Sequence, residues 1–227
     1  MVARREDSER VALVHHLPCG ECDRCRAGHE TMCKAFNEAT IVPGGFAERV
    51  RATVGVELPV ELPDAVATYV EPLACVMRAS ECVPRGEVVV VGGGFVGRLF
   101  ELVLHAEGSD VYVHDVDPAR DGPRATRPVG AAVVCAGGGG AAAAEAVEPG
   151  GTVLVFARGG QVDLDVVYRQ ELTVLGSRSA TPAAMERAVS LLPRLDPPGR
   201  LVLPLERFAE GLERYRAREA LKVVFTP

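Results

Sequence analysis

Apolar and polar positions along the chain follow two different patterns, and the change falls near residue 80. Before it, short apolar runs at Val11–Val14 and Phe46–Val50 are separated by glycine, proline and a polar cysteine-rich stretch. Short apolar runs bounded by turn residues are typical of β-strands joined by irregular loops. The first part of the chain therefore predicts part of a β-barrel.

Beyond residue 80, short apolar runs alternate with segments of helical periodicity. The predicted strands are Glu87–Val91, Val111–Asp115, Ala131–Cys135 and Thr152–Ala157, and a helix starts at about Phe95. Strands that alternate with helices indicate a parallel sheet with helices on both faces. We therefore predict an α/β fold with a doubly wound parallel sheet.

The C-terminal part predicts two further helices and a last strand, Leu221–Phe225. Thr181 offers a capping hydroxyl and Pro182 a proline at the first helical position. The buried stripe of this helix comprises Met185, Ala188, Leu191 and Leu192. The apolar face of the next helix comprises Phe208, Leu212 and Tyr215.

Composition limits the classes of protein that fit the chain. Its 227 residues, 48% of them apolar, suffice for one large domain or for one domain and a smaller piece. No apolar run approaches the roughly 20 residues that span a bilayer. With 25 Lys plus Arg against 31 Asp plus Glu, the chain lacks the basic surface of a nucleic-acid-binding protein. We expect neither a membrane nor nucleic acid as partner.

One short polar stretch carries four cysteines, Cys19, Cys22, Cys25 and Cys33. Four thiolates at this spacing can close on a single tetrahedral zinc ion. An iron–sulfur cluster and a pair of disulfides are the alternatives, but the ferredoxin run closes with Cys-Pro after three residues. The MVARREDSER start has no apolar export signal, which favours a cytoplasmic chain with reduced thiols. We predict a structural zinc site, because four protein ligands leave no position for water or substrate.

A glycine-rich motif follows the first predicted strand of the parallel sheet. Gly92, Gly94 and Gly97 form GxGxxG between a buried strand and a helix. The first glycine permits a tight turn, the second lets a pyrophosphate approach the backbone, and the third lets the helix pack on the strand. The N–H groups of Phe95 and Val96 would face the anion. The motif predicts a Rossmann-type dinucleotide site, against the alternative of a turn that only joins strand to helix.

An acidic residue ends the next predicted strand, as a dinucleotide site requires. Asp115 would accept hydrogen bonds from the adenosine ribose hydroxyls. A carboxylate there also repels the 2′-phosphate of NADP, so the sequence favours NAD. Arg120 lies close by and is the main argument for NADP.

Together the two motifs resemble the zinc-containing medium-chain alcohol and polyol dehydrogenases, the group of sorbitol and threonine dehydrogenase. The resemblance covers nearly the whole chain. It rests on ERVALVHHLPCGECDRCRAGHETMC, GGFAERV, VEPLACVMRA, VVVVGGGFVG with HDVD, EPGGTVLVFA, ELTVLGS and EALKVVFTP. It implies a partial GroES-like β-barrel domain at 1–72 with a zinc lobe at 19–33, a Rossmann NAD-binding domain at 73–203, and a return to the first domain at 204–227.

The resemblance also implies site residues and partners. The four cysteines carry over as structural zinc ligands, and Gly92, Gly94, Gly97 and Asp115 as the NAD site. Family members bind a small alcohol or polyol and are commonly dimers or tetramers. Against the family pattern, the chain begins where the GroES-like barrel is already under way, so we expect the earlier ligands of a catalytic zinc to be missing.

Two further segments depart from the family or match it in part. Glu71 matches the acid that lies at or beside the catalytic zinc in polyol dehydrogenases. A structural explanation is equally good. Glu71 precedes Pro72, which favours an extended conformation, and its negative charge suits the start of a helix. The stretch from Val116 to Gly130 is short and rich in Pro, Arg and Asp, which predicts a sheet without one of the family's strands.

Other histidines and cysteines do not predict a second metal site. His15, His16, His29, His105 and His114 have no ligand spacing with another candidate. His29 and Glu30 are explained by a surface loop in the cysteine-rich stretch. The remaining cysteines, Cys75, Cys82 and Cys135, are predicted to be buried small apolar residues.

Two hypotheses for function follow. The first is a zinc-containing, NAD-dependent oxidoreductase that oxidises a secondary alcohol or polyol to a ketone, with Glu71 as the candidate catalytic residue. The second is a catalytically silent homologue that keeps zinc and dinucleotide binding for regulation or assembly. Enzyme activity depends on whether the catalytic zinc site is complete, because a single carboxylate binds a catalytic zinc poorly compared with three protein ligands.

Overall fold

A computed structural model describes residues 1–6, 9–38, 40–47, 49–158 and 161–227. The strands are β1 (Val2–Arg4), β2 (Arg10–Leu13), β3 (Ile41–Val42), β4 (Arg51–Ala52), β5 (Gly55–Glu57), β6 (Glu87–Val91), β7 (Asp110–His114), β8 (Val129–Val134), β9 (Val147–Val155), β10 (Thr173–Gly176), β11 (Arg200–Pro204) and β12 (Lys222–Thr226). The helices are α1 (Asp23–Arg26), α2 (Asp64–Ala67), α3 (Val70–Ser80), α4 (Phe95–Ala106), α5 (Gly140–Ala146), α6 (Leu164–Arg169), α7 (Pro182–Leu191) and α8 (Phe208–Arg216).

The described residues form two compact units. Unit 1 comprises Met1–Cys75 and Ser179–Pro227, and unit 2 comprises Val76–Arg178. The predicted domain ranges placed residues 179–203 with the dinucleotide-binding part. In the structure these residues belong to unit 1, where α7 packs on β5. The assignment of the predicted ranges as GroES-like and NAD-binding domains stays a prediction.

Unit 2 is built on a parallel five-stranded sheet in the order β10-β9-β8-β6-β7. Its central strands are continuous apolar runs because both faces of the sheet are covered. The core on one face comprises Val89, Val91, Val129, Ala132, Val134, Ala143, Ala144, Val147, Val153 and Leu172. The chain crosses from the edge strand β7 back past β6 to β8, and ligands of doubly wound sheets bind at such a reversal of strand order. The predicted fold class is confirmed.

The edge of this sheet next to β7 lacks a further strand, as the sequence predicted. Residues 115–128, all of them described, contain no strand. Instead, the segment turns back over the end of β7, where the Gly122 N–H donates to the Val113 carbonyl at 2.9 Å. Pro, Arg and Asp form turns there rather than a ladder.

The described residues of unit 1 form three small sheets. One is antiparallel in the order β1-β2-β5, one pairs β3 with β4, and one pairs β11 with β12 in parallel. The predicted apolar run Val11–Val14 is buried at the centre of the first sheet. The predicted helix start at α7 is confirmed, since the Ala184 N–H donates to Thr181 Oγ1 at 3.3 Å and Pro182 is the first helical residue.

Two predictions about apolar segments of unit 1 are wrong. Of Phe46–Val50, the described residues form no strand, and Glu48 lies outside the described residues. Phe46 is 69% exposed and contacts the rings of Phe208 and Phe225 instead of lining one face of a sheet. The run has no alternation that would give a strand a buried face.

The face that α8 buries also differs from the prediction. Its buried residue is Gly211, because the Phe225 ring packs onto the helix backbone there. A Cβ at Gly211 would lie 2.6 Å from that ring. Phe208 and Tyr215 consequently stay 38% and 52% exposed.

Among the described residues, no helix is long and apolar enough to cross a membrane.

Candidate functional site

The four cysteines of the lobe converge on one point in unit 1. Cys22 caps α1, Cys25 lies within it, and Cys33 stands between two short 3-10 turns, Glu30–Met32 and Lys34–Asn37. All four sulfur atoms lie within 4.8 Å of one another. Cys25 Sγ is 3.5 Å from Cys22 Sγ and 4.0 Å from Cys19 Sγ. Zinc–sulfur bonds of about 2.3 Å in a tetrahedron place sulfurs about 3.8 Å apart, so the set fits a zinc ion.

Backbone N–H groups point at two of these sulfurs. The Cys22 N–H donates to Cys19 Sγ and the Cys19 N–H to Cys33 Sγ, both at 3.4 Å. The second bond lowers the pKa of the Cys33 thiol, which favours the thiolate that zinc binds. Desolvation, followed by the hydrogen bond from Cys22, raises the pKa of Cys25 to about 12. Crowded thiols of this kind need a cation before all of them can ionise.

The structure disfavours the disulfide alternative. All seven cysteines are described, and no disulfide joins any two of them. The predicted burial of the other three holds for Cys75 but is wrong for Cys82, which is exposed just after the end of α3. Cys135 is partly exposed as a whole, while burial of its thiol raises its pKa.

The glycine-rich turn of unit 2 depends on backbone that only glycine allows. Gly92 has φ +108°, and a Cβ there would lie 2.7 Å from Ala136 Cβ. A Cβ on Gly97 would lie 1.8 Å from the Gly92 carbonyl oxygen, so α4 could not approach β6. Gly94 is the N-cap of α4, and Phe95 and Val96 form its first turn. The free N–H groups of a helix start favour an anion.

The sheet register brings Asp115 to this turn. Val91 pairs with His114, so Gly92 and Asp115 follow neighbouring parallel strands at the same edge. The Gly93 N–H donates to Asp115 Oδ2 at 2.6 Å, and the Asp117 N–H donates to Oδ1 at 2.8 Å. The predicted acid therefore lies within hydrogen-bond distance of the glycine turn, on the side where a ribose would follow the pyrophosphate.

Arg120 lies over the same turn. Its carbonyl oxygen would be 2.3 Å from a Cβ on Gly93, and it accepts a hydrogen bond from Arg98 Nη2 at 2.6 Å. Its Nη1 lies 3.9 Å from the Cβ position of Gly94, and its Nε lies 3.8 Å from a carboxylate oxygen of Asp117. Positive charge thus stands beside the predicted phosphate-binding glycine.

Glu71 lies inside the first turn of α3, not before the helix in an extended conformation. Pro72 is tolerated there because a residue of the first turn has no use for an intrahelical N–H donor. Cys75, one turn further on, donates its thiol to Glu71 Oε1 at 3.2 Å. His15 Nε2 lies 3.8 Å from the same oxygen.

A small cleft of unit 1 surrounds these groups. It is lined by Val14, His15, His16, Glu71, Ala180 and Met185. The His16 ring stacks on Phe36, which is fully buried. His16 Nδ1 is buried and has no hydrogen-bond partner among the described residues. Desolvation lowers the pKa of His15 although Glu71 opposes that shift.

Sequence reasoning missed the neighbours of Glu71. The spacing of Glu71 and Cys75 was a usable signal, since residues four apart meet on one face of a helix. No local signal links His15 to Glu71, because the two are far apart in sequence. The other histidines stay apart from this group, with His29 exposed in the lobe and His105 Nδ1 at 3.0 Å from the Ser109 carbonyl.

A Rossmann-type unit with a glycine turn and an acid thus stands in one chain with a four-cysteine lobe, the combination on which the resemblance to zinc-containing dehydrogenases rests. Solved structures share this fold. Acetophenone reductase from Geotrichum candidum, in complex with NAD, matches with TM-score 0.82 and 18% identity over 97% of this chain and 74% of that chain. The alcohol dehydrogenase TADH from Thermus sp. ATN1 matches with TM-score 0.79 and 21% identity over 97% and 78%.

Curated relatives agree in sequence. L-galactonate-5-dehydrogenase of Escherichia coli is 27% identical over 99% of this chain and 78% of that protein. D-altritol 5-dehydrogenase of Agrobacterium fabrum is 32% identical over 49% of this chain and 36% of that protein. The matched segment thus spans about a third of the latter relative. No family profile matches the chain. The predicted resemblance to the zinc-containing medium-chain alcohol and polyol dehydrogenases is confirmed.

Proposed function

We propose that the chain is an NAD-dependent oxidoreductase that transfers a hydride from a secondary alcohol carbon to the nicotinamide ring and releases a ketone. The observation that carries this proposal is the hydrogen bond between Asp115 and the Gly93 N–H, which joins the acid to the glycine turn. The curated relatives are named as dehydrogenases, so they favour this hypothesis over a silent homologue.

Each predicted cofactor residue has a proposed role. Gly92 and Gly97 keep the turn tight, and Gly94 leaves room for the pyrophosphate. The N–H groups of Phe95 and Val96 donate to the phosphate oxygens. Asp115 binds the ribose hydroxyls.

The four cysteines hold a structural zinc in this proposal, which the convergence of their sulfurs supports. Glu71 is the proposed catalytic residue, at or beside a catalytic metal. Such a metal, when bound, stabilises the alkoxide form of an alcohol. Glu71 itself supplies a partly exposed carboxylate on the rigid first turn of α3, which fixes its position.

The proposed substrate is a polyol or sugar-acid alcohol, because relatives are named for galactonate and altritol. The direct test is NADH formation by the purified chain with galactonate, altritol and threonine as substrates. NADH formation with a polyol but not with a simple primary alcohol supports the proposal. Cofactor binding without NADH formation from any of these would favour the silent homologue.

Replacing Asp115 by alanine is expected to weaken NAD binding on the order of 10-fold to 100-fold, because hydrogen bonds to a charged acceptor are lost. Isothermal titration calorimetry with NAD measures the effect. Glu145→Gln, an exposed change on α5 of the same unit, is the matched control and should leave the dissociation constant unchanged. If the Asp115 variant and the parent bind NAD with equal affinity, Asp115 does not bind the ribose.

Titration with NADP in the same experiment tests the cofactor choice. The Asp115 carboxylate disfavours a 2′-phosphate, so we expect NAD to bind more tightly. Arg120→Ala should then leave NAD affinity higher than NADP affinity. If NADP binds more tightly and Arg120→Ala removes that preference, the chain prefers NADP.

We also propose a homo-oligomer that pairs through unit 2. Its edge strand β10 exposes Val174, and α6 exposes Leu164 and Tyr168 at 78% and 83%. An open edge with exposed apolar side chains favours pairing with another chain. The double variant Leu164→Glu with Tyr168→Glu is expected to reduce the mass in multi-angle light scattering to that of one chain. Tyr215→Glu, on α8 of unit 1, is the control, and an unchanged mass in the double variant would refute the interface.

A cytoplasmic location completes the proposal. Seven cysteines that form no disulfide, four of them in the proposed zinc site, suit a reducing compartment.

A further inference from the structure

The segment that follows β7 continues the hydrogen bonding of this strand without forming a strand itself. The Gly122 N–H donates to the Val113 carbonyl at 2.9 Å. The Asp115 N–H donates to Oδ1 of Asp121, also at 2.9 Å. Both bonds lie on the open side of β7, because the carbonyl of His114, the residue between them, accepts a hydrogen bond from the chain that leaves β6.

These two bonds reproduce the pattern of a parallel ladder with one substitution. In such a ladder, a residue donates its N–H to the neighbouring strand and offers its carbonyl to an N–H two residues further along that strand. Gly122 makes the first of these bonds with Val113. Asp121 Oδ1, and not a backbone carbonyl, accepts the second hydrogen bond, from Asp115. The side chain of Asp121 therefore replaces a backbone carbonyl of the strand that residues 115–128 do not form.

Asp121 is itself fixed by its neighbours. Its N–H donates to the Asp117 carbonyl at 3.0 Å, and its Oδ2 accepts a hydrogen bond from Arg124 Nη2 at 2.9 Å. The bond from the Asp115 N–H is the main reason that the pKa of Asp121 lies below its ordinary value, and Arg124 acts in the same direction. An ionised carboxylate only accepts hydrogen bonds, so Oδ1 is always available to an N–H.

Asp115 is consequently held at its backbone as well as at its side chain. Asp121 binds its N–H, while the N–H groups of Gly93 and Asp117 bind its two carboxylate oxygens at 2.6 Å and 2.8 Å. Without the bond to Asp121, the backbone at the end of β7 is free to rotate and to carry the carboxylate away from the glycine turn.

We infer that Asp121 is a positioning residue of the dinucleotide site, which holds the Asp115 carboxylate where the adenosine ribose binds. The inference rests on the proposed function for the role of Asp115. Neither the glycine motif nor the acid after β7 assigns this role to Asp121, because the bond replaces one that a further strand would make.

Calorimetry with NAD tests the acceptor. Asp121→Ala removes it and is expected to weaken NAD binding about fivefold to tenfold, the effect of one hydrogen bond to a charged group. Asp121→Asn keeps an amide oxygen in the same place and should restore most of the affinity. Equally weak binding by the two variants would overturn the inference.

Arg124→Ala is the matched control. It removes the ion pair with Asp121 Oδ2 but leaves Oδ1 to the Asp115 N–H. The Arg124 side chain is 60% exposed, and exposed ion pairs contribute little, so the dissociation constant should change by less than about twofold. A loss as large as that of Asp121→Ala would assign the effect to the ion pair and overturn the acceptor role.

A double-mutant cycle separates positioning from a general effect on folding. If Asp121 acts through the Asp115 carboxylate, the double variant Asp115→Ala with Asp121→Ala should bind NAD as tightly as Asp115→Ala alone. Losses of affinity that multiply in the double variant would show that Asp121 acts elsewhere, which contradicts the inference.

Amide hydrogen exchange of Asp115, followed by NMR without cofactor, tests the contact independently of NAD. We expect slow exchange in the parent chain and in Asp121→Asn, and exchange at least about tenfold faster in Asp121→Ala. Fast exchange in the parent, or an unchanged rate in Asp121→Ala, would overturn the inference. A parent chain with slow exchange that does not bind NAD would instead refute the proposed function, while the hold of Asp121 on Asp115 would be supported.

Discussion

Replacing Cys33 by serine is expected to release zinc from the lobe and to lower the free energy of unfolding by about 4 kcal/mol, the scale at which loss of a metal acts. Cys33 is the buried member of the four, at 3% exposure, and its sulfur accepts the Cys19 N–H. Serine oxygen binds zinc poorly, so the remaining three thiols would lose the ion that holds them together.

The expected damage extends beyond the lobe. Phe36 lies three residues after Cys33, in the 3-10 turn that Cys33 caps, and is fully buried with its ring stacked on His16. Without zinc, the metal no longer holds this turn in place, and the Phe36 ring is expected to become more mobile. Because His16 stacks on Phe36 and lines the cleft at Glu71, the cleft is expected to become more mobile as well. Denaturant unfolding with zinc and with a chelator measures the stability, and hydrogen exchange locates the change.

Cys82→Ser is the control for this experiment. The side chain is exposed and outside the lobe, so its replacement should change stability by no more than about 0.5 kcal/mol. A Cys33→Ser chain with the stability and zinc content of the parent would show that the lobe does not need the ion.

Replacing Gly97 by alanine has the second large expected effect. The added methyl would lie 1.8 Å from the Gly92 carbonyl oxygen, which is backbone and cannot rotate away. The helix α4 must therefore move from β6, at a cost of about 3 kcal/mol for an overpacked core. The same movement displaces the first turn of α4 from the pyrophosphate, so NAD affinity should fall by about tenfold or more.

Gly176→Ala is the matched change in the same unit. It lies on β10 with nothing within 4 Å of its Cβ position, so the substitution should preserve both stability and NAD binding. Thermal unfolding and calorimetry on the two variants separate a packing effect from a general intolerance of alanine. If Gly97→Ala binds NAD as tightly as the parent chain does, the glycine turn is not part of the NAD site.

The parallel sheet was predictable because its strands are continuous apolar runs between turn residues. The predicted strand Glu87–Val91 agrees with β6 in both bounds. Predictions failed where the apolar pattern was short: Phe46–Val50 has no alternation, and the exposed Phe46 ring contacts two other phenylalanines. One of the two interpretations of Glu71 placed it in an extended conformation before Pro72, but helix α3 includes both residues.

The sequence by itself determined the features that depend on local spacing. Cysteines three residues apart around one turn, a GxGxxG run after a strand and an acid at the end of the next strand specify their own geometry. Only the tertiary structure decided what surrounds Glu71, because His15 reaches it from a distant segment through packing of unit 1. The fold also decided that Arg120 lies over the glycine turn. Contacts between distant segments depend on how strands and helices pack, and no local pattern encodes that packing.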